Sequence, residues 1–401
     1  MIRCIQCSLA LILFLMFGCT RTQEVTPWAN EPAEDFTITN PLALPRADET
    51  IGLDWKVLAG SVPGLTKENA AIYEVQSRQF LVTQTADIDG KTELLFQTDF
   101  APEEIKSFRL MKLPDGVKKP HPQATTYCCF LPERDDDFAW ENDKVANRMY
   151  GPALEWETIT SGVDAWGKCV PYPVVEKFIR DYTQKEIPYH ENHGEGGDFY
   201  KVGNTLGCGG LAPFVNGKVR LPRNFTDWKV LANGPIRSVF ELSYKTWKAE
   251  NYTVSETKRI SIDLGSNLSR FECRYTAQGE EAIPLAAGII LRDTSDRTWT
   301  GDETIAYWLP TDTITGMFGC GVVFGSEYKP EILEADSHLL LTLRQKVDTP
   351  VVYYAGSCWD ENAEFDSFEK WQQYLVDFKE RIDNPVVVEI KEQGSEKGAG
   401  R

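Results

Sequence analysis

Two of the chain's four histidines, His190 and His193, fall within residues 189–203, beside Glu191, Glu195, Asp198, Tyr189, Tyr200 and four glycines. Histidine titrates near neutrality and serves as general base or acid, and a tyrosine in a charged pocket takes the opposite role. With Arg148, Lys168 and Arg237 as the nearby cations, the set suits one reaction especially. That reaction removes the acidic proton beside a carboxylate and expels a group from the neighbouring carbon, while a cation stabilises the enolate-like charge. Glu141, Asn142 and Asp198 are candidates to orient these groups, and Trp140 and Trp166 offer faces on which a sugar ring stacks. Every one of them also has an ordinary use, since single histidines commonly serve as hydrogen-bonding scaffold and tryptophans as core.

Other chemistries fit less of the sequence. His190 and His193 could ligate a metal with Asp198 or Glu195. Glu155 and Glu157 flank Trp156 and, on a strand, would share a face as a glycosidase acid/base pair. Cys208, in Gly207-Cys208-Gly209-Gly210, has no evident paired base as a nucleophile; its glycines suggest a tight bend with close backbone approach. The acids of residues 133–137 read as solvent-facing. No phosphate-cradling glycine loop, G-x-S-x-G elbow or HExxH occurs, no CxxC pair follows Cys19, and no cofactor follows from any motif. The formal net charge of -18 repels nucleic acid and anionic membrane surfaces over a screening length of roughly 8–10 Å. An anionic substrate then requires a local cationic pocket.

The elements that must position these groups are written mostly in period two. Residues 1–18 read as a lipoprotein signal peptide, with Arg3 before an apolar run and a lipobox-like Leu15-Met16-Phe17-Gly18-Cys19 that places lipid on Cys19. Residues 19–34 form a tether. Residues 35–113 show short strands, with a hairpin turn at Asp87-Ile88-Asp89-Gly90-Lys91, and suggest a small β-sandwich domain. Residues 114–122 are a proline-rich linker, residues 123–390 a second β domain, and residues 391–401 a polar tail. Ile236, Phe240, Leu242 and Tyr244 share a face, as do Leu285, Ala287, Ile289 and Leu291, so the second domain is an antiparallel sandwich or barrel. Phe368, Trp371, Leu375, Phe378 and Ile382 form a helical stripe, with Asp366 and Glu369 as its capping box and Asn384-Pro385 as its stop. A shorter helix is expected over 174–182. Seven cysteines follow Cys19; one or two disulfides are possible, and vicinal Cys128 and Cys129 should face opposite sides of a strand.

Several of these segments together resemble domain-of-unknown-function family 4861. They are residues 132–143 and 148–152, Ser161-Gly162-Val163-Asp164-Ala165-Trp166-Gly167-Lys168, the stretch 190–203, Asn233-Gly234-Pro235-Ile236-Arg237, Tyr353-Tyr354-Ala355-Gly356 and residues 365–371. The resemblance covers roughly residues 35–390. It implies an exported protein or lipoprotein with a galactose-mutarotase-like β-supersandwich after the small sandwich. It also implies dehydratase- or lyase-like action on uronate-terminated oligosaccharides, leaving an unsaturated uronic acid at the non-reducing end. On that reading Arg148, Lys168 or Arg237 holds the substrate carboxylate, His190 or His193 takes the proton, and Tyr200 protonates the departing hydroxyl. Glu141, Asn142, Asp198, Trp140 and Trp166 contact the sugar. The partner is an acidic oligosaccharide, and the bacterial envelope holds the chain through lipid alone. Epimerisation, glycoside hydrolysis and non-catalytic carbohydrate binding stay open as alternatives.

Overall fold

The alternating segments become strands in a mainly β protein whose sheets are antiparallel. The computed structural model describes residues 28, 30–156, 161–292, 296–310, 316–362 and 364–390. Cys19 with the leader, Glu157 and the polar tail lie outside the described residues. Pro32–Arg401 is one unit; of the unit before it, the described residues are Trp28, Asn30 and Glu31.

The first sandwich pairs a five-stranded sheet with a three-stranded one around Phe36, Ile51, Leu94, Phe96, Phe108 and Leu110. Its hairpin closes from Ile88 to Lys91 through Asp89 (φ 51°) and Gly90 (φ 78°). Both are left-handed, as the favoured two-residue turn requires. Two boundaries differ from expectation. Ala33 and Glu34, read as tether, already belong to the strand Ala33–Thr39, and the outermost strand of that sheet is Val387–Ile390 from the far end of the chain. Pairing with Val387–Ile390 covers an edge whose backbone groups would otherwise stand open.

Beyond residue 113, an eight-stranded sheet and a five-stranded sheet enclose the main core, with Phe240, Ile260, Phe271 and Val322 meeting Leu211, Leu285, Ile289 and Leu341. The helix Phe368–Asp383 lays Phe368, Trp371 and Leu375 on the other side of the eight-stranded sheet against Ala306, Trp308 and Val323. Ser367, not Asp366, caps it by accepting from Lys370 N–H, while Asp366 pairs with the Lys370 ammonium (2.8 Å). The cysteines of the described residues are all free, and Cys128 and Cys129 do enter different cores.

Candidate functional site

A further five-stranded sheet carries the motif residues, in the order Gly196–Gly197, Asp164–Lys168, Ala146–Met149, Asp137–Glu141, Tyr127–Leu131. Period two sorts its side chains. Phe138, Trp140, Met149 and Ala165 enter the main core, whereas Ala139, Ala146 and Trp166 join a separate cluster with Val175, Phe178 and Ile179 of the helix Val175–Lys185. Asp137, Glu141, Arg148, Asp164 and Lys168 alternate with the first set. They therefore stand on the helix side, with Arg148 opposite Asp164 in register. All five are buried.

Arg148 is the hub of that face. Its guanidinium reaches Asp164 (2.6 Å), Asp198 (3.0 Å) and Asp137 (3.5 Å), and lies over the rings of Tyr150 (5.0 Å), Trp166 (5.2 Å) and Tyr189 (5.9 Å). Burial opposes its charge, but the Asp164, Asp198 and Asp137 carboxylates more than offset that and hold it well above its ordinary range. The same burial works on the acids. It pushes Asp137 up to about 6 and Asp164 upward, and it raises Asp198 well above the usual carboxylate range with help from the neighbouring Asp164. Three carboxylates around one guanidinium cannot all ionise cheaply in a dry site.

Lys168 and Glu141 form a second buried pair (2.7 Å), and Lys168 also donates to the Asn142 carbonyl (2.5 Å). Glu141 accepts from Val174 N–H (2.8 Å) and Val175 N–H (3.0 Å). The helix Val175–Lys185 has no side-chain cap of its own at Val174, so this carboxylate satisfies its orphan amides and meets the positive end of its dipole.

The histidine stretch crosses the rim of this assembly. Gly196 has φ 116°, and a Cβ there would sit 2.1 Å from the Gly167 carbonyl oxygen, so only glycine lets the loop pair with Asp164–Lys168. Beyond it, Asp198 N–H donates to the Tyr189 carbonyl (2.8 Å) and ties the loop's two ends together. His190 is 56% exposed, packs its ring on Tyr189 (4.3 Å), and donates from Nδ1 to the Asp198 carbonyl (3.1 Å), with the Asp198 carboxylate at 3.6 Å. His193 donates from Nε2 to the Pro188 carbonyl (3.0 Å). A carbonyl only accepts, so in the neutral ring each bond places the proton on that nitrogen and leaves the other, His190 Nε2 or His193 Nδ1, with the lone pair.

His193 borders a hollow of about 210 Å³ with Tyr189, Phe178, Ile187, Lys177 and Glu195. The Lys177 ammonium, 41% exposed, touches Glu195 (2.6 Å) and Asp181 (3.3 Å). Tyr189 accepts at its hydroxyl from Arg134 Nε (2.7 Å). Tyr172, whose hydroxyl donates to Glu195 (2.8 Å), and Tyr182, edge-on to Tyr189 (5.1 Å), are half-exposed beside it.

The residues expected from sequence therefore divide. His190 and Asp198 meet, and Arg148 and Trp166 stand directly behind them; Trp166 stacks on Tyr189 (5.4 Å) and donates to Asp164 (3.0 Å). Arg148, Lys168, Glu141 and Trp166 are buried among protein groups, so in this structure they hold the sheet and not a sugar. Trp140 is core, donating to Ser269 Oγ (2.9 Å). Asn142 is buried too, its side chain bonded to the Asp263 and Ser266 carbonyls (2.7 Å each). Tyr200 is buried between Phe318 (5.6 Å) and the Arg292 guanidinium (5.5 Å), and burial raises its hydroxyl well above its ordinary range, which removes it as an accessible proton donor. Arg237 grips Asp263 (2.5 and 2.7 Å) and lines a different cavity.

The lesser readings also meet specific geometry. Glu155 follows a 3-10 turn in αR backbone and pairs with Arg223 (2.9 Å), so the strand premise of a Glu155/Glu157 pair fails. Cys208 is buried, donates to the Gly356 carbonyl (3.2 Å), and burial lifts its thiol well above its ordinary range. Asp137, expected to face solvent, is wholly buried. Among the described residues no three His, Cys, Asp or Glu converge as metal ligands. Sequence reasoning missed Lys177, placed Asp137 among solvent-facing acids, and named Tyr189 only as a neighbour of the histidines.

A family profile described as a domain of unknown function (DUF4861) matches residues 38–388. The chain belongs to the DUF4861 family. A DUF4861 relative from Formosa agariphila, described as uncharacterized protein P7, is 35% identical over 382 residues, spanning 89% of this chain and 93% of its own. Two solved structures from Enterococcus faecalis superpose on the DUF4861 chain. One, described as a protein in glycosyl hydrolase family 38, does so at TM-score 0.46 and 11% identity over 93% of this chain. The other, an α-mannosidase, does so at 0.41 and 9% over 91%. The chain spans about half the length of these solved structures, 49% and 46%.

Proposed function

We propose that this DUF4861 protein is a carbon–oxygen lyase of the dehydratase type, acting on the uronate end of an oligosaccharide at the hollow beside Tyr189, on a galactose-mutarotase-like supersandwich. The observation that carries the reading is the pair of solvent-facing imidazoles, each held in one tautomer by a backbone carbonyl. A base at the surface with a fixed lone pair is what removal of the proton beside a carboxylate requires. Lys177 is the ammonium at the hollow, and it takes the carboxylate-binding role that Arg148 and Lys168 cannot take from inside the sheet.

An imidazole lone pair takes the proton from the carbon beside the carboxylate, and the electrons form the new carbon–carbon double bond. The neighbouring C–O bond breaks, and the imidazolium just formed delivers its proton to the leaving hydroxyl, which departs as water and leaves the imidazole neutral again. Tyr172 and Tyr182, half-exposed beside the hollow, supply ring faces for the sugar.

Incubation of the protein with uronate-terminated oligosaccharides tests this directly. The expected product carries the ultraviolet absorbance of a conjugated enol ether, has lost one water by mass, and keeps its chain length. Shortened chains would instead mark a chain-cleaving lyase or hydrolase, and binding without product a non-catalytic module. The envelope anchor through Cys19 is part of the same proposal. Incorporation of labelled fatty acid, abolished by Cys19→Ser, is its expected signature, and unchanged labelling in that variant would rule it out.

A further inference from the structure

Arg237 lines a cavity of about 470 Å³ where the turn after Arg46 in the first sandwich faces the eight-stranded sheet and the C-terminal helix. That volume falls within the range of small-molecule sites, which favour seams between packed bodies. The charges at its walls differ in how far they are committed. Arg237 is fixed bidentately on Asp263, and Lys144 is paired with Glu364 (2.8 Å). Arg270, 38% exposed, pairs with Glu272 (3.0 Å) and also meets the Tyr354 hydroxyl. Arg381 donates from Nε to the Asp377 carbonyl (3.2 Å) and forms no ion pair among the described residues. Glu272 and Asp377 are not themselves in the cavity wall. Each guanidinium has five N–H donors in a planar fork, so most of the donors on both remain for a ligand.

The wall that carries these two arginines is aromatic. Arg270 lies opposite Tyr354 in register, Tyr354 meets Phe378 edge-on (5.0 Å), and the Arg381 guanidinium stands 6.0 Å from the Tyr374 ring. The facing wall is polar. Asp48 is held there in left-handed backbone (φ 50°), its carboxyl raised first by burial and then by Asp99. One wall therefore offers forked cations and ring edges, and the other offers acceptors for hydroxyl groups.

We propose that this cavity is a second saccharide site, taking a sugar that bears an oxyanion, either a carboxylate or a sulfate ester. Arg270 and Arg381 hold the oxyanion, the Tyr354–Phe378 wall packs on the ring, and Asp48 accepts from hydroxyls. Arginine forks favour a planar or tetrahedral oxyanion over a neutral group. The acidic facing wall and the net charge of -18 disfavour a polyanion such as nucleic acid. The oxyanion requirement stands on the arginines alone; the choice of a sugar rests on the proposed function.

Calorimetric titration of the full chain carrying Lys177→Ala reads this cavity with the cation assigned to the other hollow removed. The probes are glucuronate, glucose 6-sulfate, glucose and inorganic sulfate. At least one charged sugar is expected to bind, with glucose weaker by about tenfold or more. Arg270→Ala and Arg381→Ala are each expected to weaken the charged sugar by about tenfold or more, and added salt to weaken it further. Whichever of glucuronate and glucose 6-sulfate binds more tightly identifies the oxyanion. Where an alanine variant melts early, Arg→Gln at the same position reads the same weakening. Glucose binding as well as the charged sugars, or charged-sugar affinity unchanged by both arginine replacements, overturns the proposal. Inorganic sulfate binding as tightly as either charged sugar overturns the saccharide assignment.

Discussion

The Arg148 cluster and the hollow beside Tyr189 share the same sheet and loop, yet they use charge in opposite ways. In the cluster, one guanidinium faces three carboxylates in a site closed to water. At the hollow and its rim, Lys177 and the two imidazoles meet solvent, Lys177 beside Glu195 and Asp181 and each imidazole on one backbone carbonyl. Buried ion pairs cost desolvation that only tight geometry repays, and removing one partner leaves an uncompensated charge. Exposed groups contribute little to stability and are free to act on a ligand. The cluster holds the frame, and the hollow is where chemistry is possible.

Replacing the hub should break the frame outright. Arg148→Met leaves Asp137, Asp164 and Asp198 without their cation and is expected to cost on the order of 3–5 kcal/mol by urea unfolding. A loss below about 1 kcal/mol, within the range of surface ion pairs, would erase the contrast between the regions. Glu141→Gln sharpens the same point. It keeps acceptors for Val174 and Val175 but leaves Lys168 buried and unpaired, and roughly 3 kcal/mol is the expected loss.

The cluster also sets a pH dependence. Folding raises Asp137 from its ordinary 3.8 to about 6 through burial, so the folded state binds this proton more tightly than the unfolded one. Its contribution is therefore full below about pH 4, declines as pH rises to about 6, and is flat beyond. The stability of the wild type relative to Asp137→Asn is expected to fall across that window by roughly 3 kcal/mol. A difference that instead grew with pH would reverse the assigned direction. The smallest effect belongs to the hollow. Lys177→Ala should change stability by less than about 1 kcal/mol while raising KM for uronate-terminated substrate, and an early-melting variant with unchanged KM would place Lys177 with the frame.

Much of the frame was readable because local rules and tertiary packing agree. The stripe from Phe368 to Ile382 had only one way to lie, and Asp89-Gly90 supplied the two left-handed positions that a tight hairpin needs. The site was readable only as a set of segments. Asp137 follows Asp135 and Asp136 in a run that looks solvated, yet it is buried with its carboxylate on Arg148 and the Gly151 amide, both distant in sequence. Trp140 and Trp166 look alike as sugar platforms, yet strand alternation sends one to the core and the other behind Tyr189. Locally Lys177 reads as an i,i+4 partner of Asp181 on a solvated helix face, and its tighter neighbour is the Glu195 carboxylate eighteen residues later. Val387–Ile390 was likewise invisible as a strand, because its partner lies at the other end of the chain.

The most direct test is turnover of a uronate-terminated oligosaccharide by His190→Ala and His193→Ala, each measured beside its own melting curve. At least one variant should lose about 10²-fold or more in kcat while melting at the wild-type temperature, as expected for an exposed base outside the frame. Full turnover in both variants would contradict the assignment of chemistry to this hollow.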